Sequence, residues 1–423
     1  AAAKVIQSGS IDTSGEQAGA VHLLADGGNI KVDGRITANS TGKDDNGQHH
    51  KGGDIYIGRD KDTNALAAVG DVRGATLESK GGFVETSGEH LATDGISVTA
   101  KDWLLDPSDI TISSSASSNV TGTSPADITP NGGTGTSSSV QVSTIQTAIN
   151  AGTNVTIKTT NNSNATGAGN ITIANALAFA NNSDTNATLS LIADNGITQN
   201  AGASITTSAV AGKTGLVNID MTANGNFQGN NTTSTSSQGI ILNAGITTNG
   251  NVTLTGTNKN TNGSSRGVTF ANSSSITANT ITVTGTATGA AEWNQGVFFS
   301  GTSSIKATGT GSSVISGISS STAGAINSAV VFNDGSTVTL DAGTGNLTVQ
   351  GTHTVNGYGG IRFGANGGSS TNPSLTTRGN VTLGTQDTNN ASLNASFMLR
   401  NGLITADTGS LTIKGQEIGR AHV

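Results

Sequence analysis

The densest collection of chemically capable side chains lies in HHKGGDIYIGRDKD, His49 to Asp62, where Asp54, Asp60 and Asp62 could offer carboxylates to calcium beside backbone carbonyls. Calcium loops space their ligands in fixed patterns, and neither the EF-hand spacing nor the nonapeptide calcium repeat is present. His49 and His50 are a poor metal pair, because adjacent residues on a strand point to opposite faces. The stretch reads as a solvated loop. Two-carboxylate glycoside hydrolysis needs acids converging on one face. Beyond Ile112 the acids Asp127, Asp184, Asp194, Asp220, Glu292, Asp334, Asp341, Asp387 and Asp407 are scattered, with no Asp-Asp or Asp-x-Asp pair. Lys and Arg are equally sparse for lyase chemistry. No Gly-x-Ser-x-Gly elbow, P-loop or basic stripe for nucleic acid occurs. The sequence therefore assigns no catalytic, cofactor-binding or metal residue, and predicts a non-enzymatic protein without cofactors.

The elements that would position such residues are thin. The 423 residues are 33% hydrophobic and 3% aromatic, too lean for a thick globular core, while 11% charged residues and a net charge of -7 do not suggest a solvated disordered chain. Cysteine is absent, so neither disulfides nor thiolate metal sites can form. No apolar run is long enough for a transmembrane helix, and the first residues lack the pattern of a signal peptide. The chain starts without methionine and reads as an internal piece of something longer. Residues 417–423, EIGRAHV, match the translation of a common sequencing adapter and are expected to be artefact.

One unit recurs: glycine, a polar residue, then alternating aliphatic and small polar residues. It stands as GNIKV at Gly28, GDIYI at Gly53, GNITI at Gly169, GNVTL at Gly250, GNLTV at Gly345, GNVTL at Gly379 and GSLTI at Gly409. Period-2 alternation predicts half-buried strands, and Gly and Asn supply the turns. A sandwich of this size would need aromatic anchors, whereas a β-solenoid needs only a narrow aliphatic column renewed at each coil. The predicted fold is all-β, a parallel β-helix with about 20–25 residues per coil. Ile30, Val32, Ile171, Ile173, Val252, Leu254, Val381 and Leu383 are expected to point inward.

Residues 113–142 are predicted to be a low-complexity linker, rich in Ser, Gly and Pro. After it, Ser143 with Gln146 suggests a capping box; Ile145, Ala148 and Ile149 share a helical face, and Gly152 can end a helix of about two turns. Asn-x-Ser/Thr triplets at Asn119, Asn164, Asn170, Asn251, Asn346 and Asn380 are expected to arise mostly from composition.

GGFVETSG, Gly81 to Gly88, followed by WLLDPSDITI, Trp103 to Ile112, and then by TIQTAINAGTNVTI, Thr144 to Ile157, resembles a segment of the filamentous haemagglutinin and high-molecular-weight adhesin family, large exoproteins of Gram-negative bacteria secreted by the two-partner route. The resemblance runs from Gly81 to Ile157; the remainder shares only the Gly-Asn-β-branched style. The chain departs from the family with Gly88-Glu89-His90 where Gly-His commonly follows directly. The resemblance implies a right-handed β-helix, passage through an outer-membrane two-partner secretion transporter, and display at the cell surface or release. Partners would be host glycans, matrix or neighbouring bacterial cells, with no nucleic acid and no transmembrane segment. The expected division is a β-helix segment over 1–112 following the secretion domain, the linker, and a second stack over 143–416. Within the first segment, Trp103, Leu104 and Leu105 are expected to close the end of a core, and Asp106-Pro107 to end the strand. Rival readings are a β-helical carbohydrate-active enzyme or depolymerase, and the stalk of a contact-dependent growth inhibition toxin.

Overall fold

The computed structural model describes residues 4–60, 62–117, 120–122, 129–130, 137–159, 169–225, 236–259, 264–288, 293–320, 327–353, 360–364, 372–385, 397–399 and 402–414. They are almost entirely strand, with one helix, and form a parallel β-helix. Two compact units divide the chain, Ala1–Asp194 with Thr207–Val217, and Asn195–Thr206 with Asn218–Val423.

The second unit shows most plainly how the alternating sequence becomes a coil. Val252–Asn258, Ser264–Phe270 and Ser273–Ala278 are the three strands of one turn; Ile281–Ala287, Trp293–Phe299 and Thr302–Ala307 are those of the next. Each pairs in parallel with its counterpart. Met221, Leu254, Val283, Ile315, Val349 and Leu383 fall in one in-register column. All are buried, while the intervening Thr and Ser face outward. Neighbouring rungs of such a ladder lie about 4.7–4.9 Å apart, so each aliphatic side chain covers the one beneath it. The steps from Leu254 to Val283 and from Val283 to Ile315 measure one full turn each. The coil is longer than the expected ~20–25 residues, because each turn carries three strands and their loops. A second column, Phe270, Phe299, Phe332 and Phe363, stacks its rings with centroids 4.8, 4.9 and 4.3 Å apart.

Glycine sets the narrow corner of these turns. Gly256, Gly285, Gly317 and Gly351 share one register position in mid-strand. A Cβ on Gly285 would stand 2.0 Å from the Gly296 carbonyl oxygen, and one on Gly317 2.0 Å from that of Ala329. Consecutive strands of a turn therefore run in backbone contact there. Beyond this pinch, Asn258, Ser265, Asn294, Ser319 and Asn327 are fully buried in a small polar interior. The Ser319 hydroxyl donates to the Asn294 carbonyl at 3.1 Å, and the Asn294 N–H to Asn327 Oδ1 at 2.9 Å.

In the first unit one interior column runs Val21, Ile55, Val84, Trp103, Val155, Leu189. Trp103 is a rung of that column and not its end, since Asn154–Lys158 stacks directly on Ser97–Asp106. The end-closure reading is corrected accordingly: Trp103 is buried, but the ladder continues past it. The stretch expected to be linker also contains a rung. Ser137–Gln141 pairs with Asp109–Ser113 on one side and meets His90–Ala92 on the other. A later segment has thus been inserted between two earlier ones. Asp94 holds the intervening excursion by accepting the Ser117 N–H at 2.9 Å, and Arg73 donates to the Gly122 carbonyl at 2.9 Å.

The helix, Val142–Asn150, begins directly from that strand. Its N-cap is Gln141, with no side-chain cap. The expected Ser143–Gln146 capping box does not form: Gln146 Nε2 donates instead to the Ala178 carbonyl at 2.7 Å, and the Ser143 carbonyl accepts from Thr147 Oγ1. Ile145, Ala148 and Ile149 are buried as expected, and Gly152 follows the helix at φ +87. The compact units do not divide at the expected linker, because the in-register column crosses from Leu105 to Ile157 without a break. Residues 417–423 lie outside the described residues.

Candidate functional site

The segment Gly81 to Ile112 places most of its residues on two paired strands, Thr76–Ser87 and Ser97–Asp106, with His90–Ala92 and Asp109–Ser113 on a separate sheet. Val84 is opposite Trp103, Thr86 opposite Leu105 and Ser87 opposite Asp106. Trp103 is 1% exposed, and its indole N–H donates to Thr86 Oγ1 at 3.1 Å, which satisfies its one polar atom. Leu105 is buried and Leu104 faces outward, half-buried. Two of the carboxylates of this segment, Glu85 and Asp106, flank Arg59. Arg59 Nε lies 2.7 Å from Glu85 Oε1, its Nη2 pairs with Asp106 Oδ2, and the Ser87 hydroxyl donates to Glu85 Oε1 at 2.7 Å. The two carboxylate side chains are 5% and 1% exposed. Such a triad neutralises charges that burial would otherwise make very costly, and a polymer substrate has no route to it.

Asp71, fully buried, is the centre of a second network. Arg73 grips it through Nε to Oδ1 at 2.8 Å and Nη2 to Oδ2 at 2.7 Å, and Lys31 Nζ stands 3.2 Å away. Burial alone would raise the Asp71 pKa; the Arg73 hydrogen bonds and the charges of Arg73 and Lys31 outweigh it and hold the carboxyl below its ordinary value.

The candidate calcium residues are not brought together into one site. Asp60 Oδ1 accepts the N–H groups of Asp62 and Thr63, a local turn, whereas Asp54 faces Lys51 at 3.8 Å. Among the described residues no group of three His, Asp or Glu is placed to hold a metal ion. The scattered acids stay apart. Asp184 pairs with Lys213, Asp407 with Arg378, and Asp341 accepts the Gly343 N–H. Asp220 is half-buried and its pKa is raised by burial, partly offset by a hydrogen bond from Thr253. Asp127, Glu292 and Asp387 lie outside the described residues, as do Asn119 and Asn164. Asn251 is exposed just before Val252–Asn258, where its Oδ1 accepts from Asn279 Nδ2, while Asn346 and Asn380 are exposed within Thr337–His353 and Ser374–Thr385.

Two outward clusters were not anticipated. In the second unit Arg266 lies 3.8 Å over the Phe298 ring and donates to Gln295 Oε1 at 2.9 Å; burial lowers its pKa, and Phe298 is only 4% exposed. In the first unit His22, Tyr56 and Phe83 line up on the outer face, with ring centroids 4.8 and 5.5 Å apart. His22 is exposed, Tyr56 and Phe83 half-buried. Beside them opens a cleft of ≈ 350 Å³ whose wall includes Gln17, Ser40, His50, Lys51 and Asp54. The signal was in the repeat itself: in GDIYI the alternation that sends Ile55 and Ile57 inward sends Asp54 and Tyr56 out.

The site geometry and the fold define a parallel β-helix whose strongest sequence motif lies in its interior. No protein-family model matches the chain, and no curated protein matches it.

Proposed function

We propose that the chain is a segment of a non-enzymatic adhesin of the filamentous haemagglutinin type, secreted by the two-partner route and displayed at the bacterial surface or released, where it attaches to host cells, matrix or other bacteria. The observation that carries this reading is the Arg59–Glu85–Asp106 triad. Glu85 and Asp106, within the segment that resembles these exoproteins, are held in buried ion pairs with Arg59, which makes this part of the segment a structural element of the coil. A parallel β-helix without cysteine also suits export before folding, since each emerging coil can template on the last.

Beads coated with the purified chain should attach to epithelial cells, erythrocytes or matrix, and soluble chain should compete them off. Incubation with uronate, rhamnan and glucan polymers should release no reducing ends and no unsaturated products. Absence of attachment to every surface, or polymer turnover lost on changing a single Asp, would overturn the proposal.

A further inference from the structure

The ring contacts of the two units differ in kind. Phe299 and Phe332 stack within 7° of parallel inside the coil and are fully buried, which is packing. His22, Tyr56 and Phe83 are inclined to one another by 32° and 49° on the outer face, and each keeps part of its ring in solvent. In a chain with 3% Phe, Trp and Tyr, two aromatic rings in line with an imidazole on the outer face stand out. Asp54 and Phe83 each precede a register pair, Ile55 and Val84, so both face the same side as Tyr56. Asp54 Oδ1 is buried, with the Lys51 ammonium 3.8 Å away, while the Asp54 side chain as a whole is 32% exposed, so its other carboxylate oxygen is the one turned toward solvent. The adjoining cleft is walled by hydroxyl, amide, imidazole, ammonium and carboxylate groups, the Lys51 ammonium facing Asp54.

Rings with a negative π-face, next to a concave set of acceptors and donors, match the two sides of a sugar. Axial C–H groups of a pyranose lie on the rings, and its equatorial hydroxyls reach the polar wall. The net charge of -7 and the Asp54 carboxylate disfavour polyanions. We propose that this outer face, the Tyr56–Phe83 platform with the Asp54 cleft, binds a neutral pyranose oligosaccharide. The inference rests on the adhesin reading above and names its ligand class. Tyr56 and Phe83 carry the stacking, Asp54 accepts from a sugar hydroxyl, and His50 and Gln17 are positioned to contact the next residue of the oligosaccharide.

The test is saturation-transfer NMR and calorimetry on the whole chain with neutral gluco-, galacto- and xylo-oligosaccharides, beside sialylated and sulfated ones. At least one neutral oligosaccharide should bind, with saturation strongest at its axial protons. Tyr56→Ala and Phe83→Ala should each weaken binding about tenfold or more, and Asp54→Asn should weaken it as well, with thermal midpoints unchanged. Tyr56→Trp keeps a ring in place and should retain binding, so lost folding in an alanine variant does not blur the result. Binding of polyanions alone, abolished at high salt, would overturn the assignment, as would alanine variants that bind like the parent. Bead attachment that persists in Tyr56→Ala/Phe83→Ala refutes this site while leaving the adhesin reading intact; sugar binding without any attachment refutes the adhesin reading alone.

Discussion

Arg59 shows how a polar residue can hold a β-helix together from within. Its guanidinium stands between Glu85 and Asp106, on strands of successive rungs, and is 11% exposed. Arg59→Met keeps the stem but leaves two buried carboxylates facing each other, so stability should fall by about 3–5 kcal/mol, read as a lower midpoint in denaturant. Trp103→Ala should also cost about 3–5 kcal/mol, through the cavity and lost contact, and it strands the Thr86 hydroxyl. Acid should act on two further groups. His90 is half-buried, and burial lowers its pKa against the opposing pull of Glu89. The unfolded chain then binds the extra proton more readily, so the stability that neutral His90 permits is complete above its ordinary pKa of 6.5 and declines as pH falls below it. Asp71 has a depressed pKa; its contribution is complete above 3.8 and is lost as pH falls through the folded value. The protection factors of the Leu91 and Ala92 amides, corrected for the slower intrinsic exchange at low pH, should fall between pH 7 and pH 5, well before the Asp71 network releases. The burial of Trp103 was legible from its apolar neighbours. Arg59 was not, because a guanidinium in a charged loop looks solvated until a later strand, Thr76–Ser87, brings Glu85 beside it.

At the scale of elements, alternation was enough to place strands: Ile30, Val32, Ile171, Ile173, Val252, Leu254, Val381 and Leu383 are all buried as expected. The glycines inside the strands carried a second message. A glycine in mid-strand marks close backbone approach, and TGT at Gly256 and Gly285, SGI at Gly317 and QGT at Gly351 mark the pinch. Gly285→Ala should therefore destabilise the second unit far more than Thr284→Ala on the outward side, compared by thermal unfolding; equal effects would remove the pinch from the account. The helix start was misplaced for a physical reason. Ser143 and Gln146 satisfy the local rule for a capping box, but the chain arrives from a paired strand, and Gln146 is taken by the Ala178 carbonyl. Likewise nothing local in SSSVQ reveals that Ser137–Gln141 will enter between His90–Ala92 and Asp109–Ser113, since that is a property of the ladder.

At the scale of the molecule, the coil length was present in the sequence, though hidden by the extra strands between the glycine units. The spacings from Gly345 to Gly379 and from Gly379 to Gly409 are close to the steps seen in the column from Leu254 through Val283 to Ile315. Stability in such a ladder is a nearest-neighbour sum. Val252→Asp should place an unpaired carboxylate under Ile281, cost several kcal/mol, and unfold adjoining rungs together, seen as loss of amide protection beyond the mutated strand. Within each unit successive repeats are successive rungs of a parallel ladder, and the interior is occupied by packing and ion pairs. The absence of cysteine makes disulfide mapping clean. Thr253 and Thr282 are register partners and Val314 is the next rung. Rungs are about 4.7–4.9 Å apart, and a disulfide cannot bridge Cα atoms more than about 7 Å apart. Thr253→Cys/Thr282→Cys should oxidise readily to an intramolecular disulfide, and Thr253→Cys/Val314→Cys should not; the reverse pattern, or equal cross-linking of both pairs, would contradict the ladder.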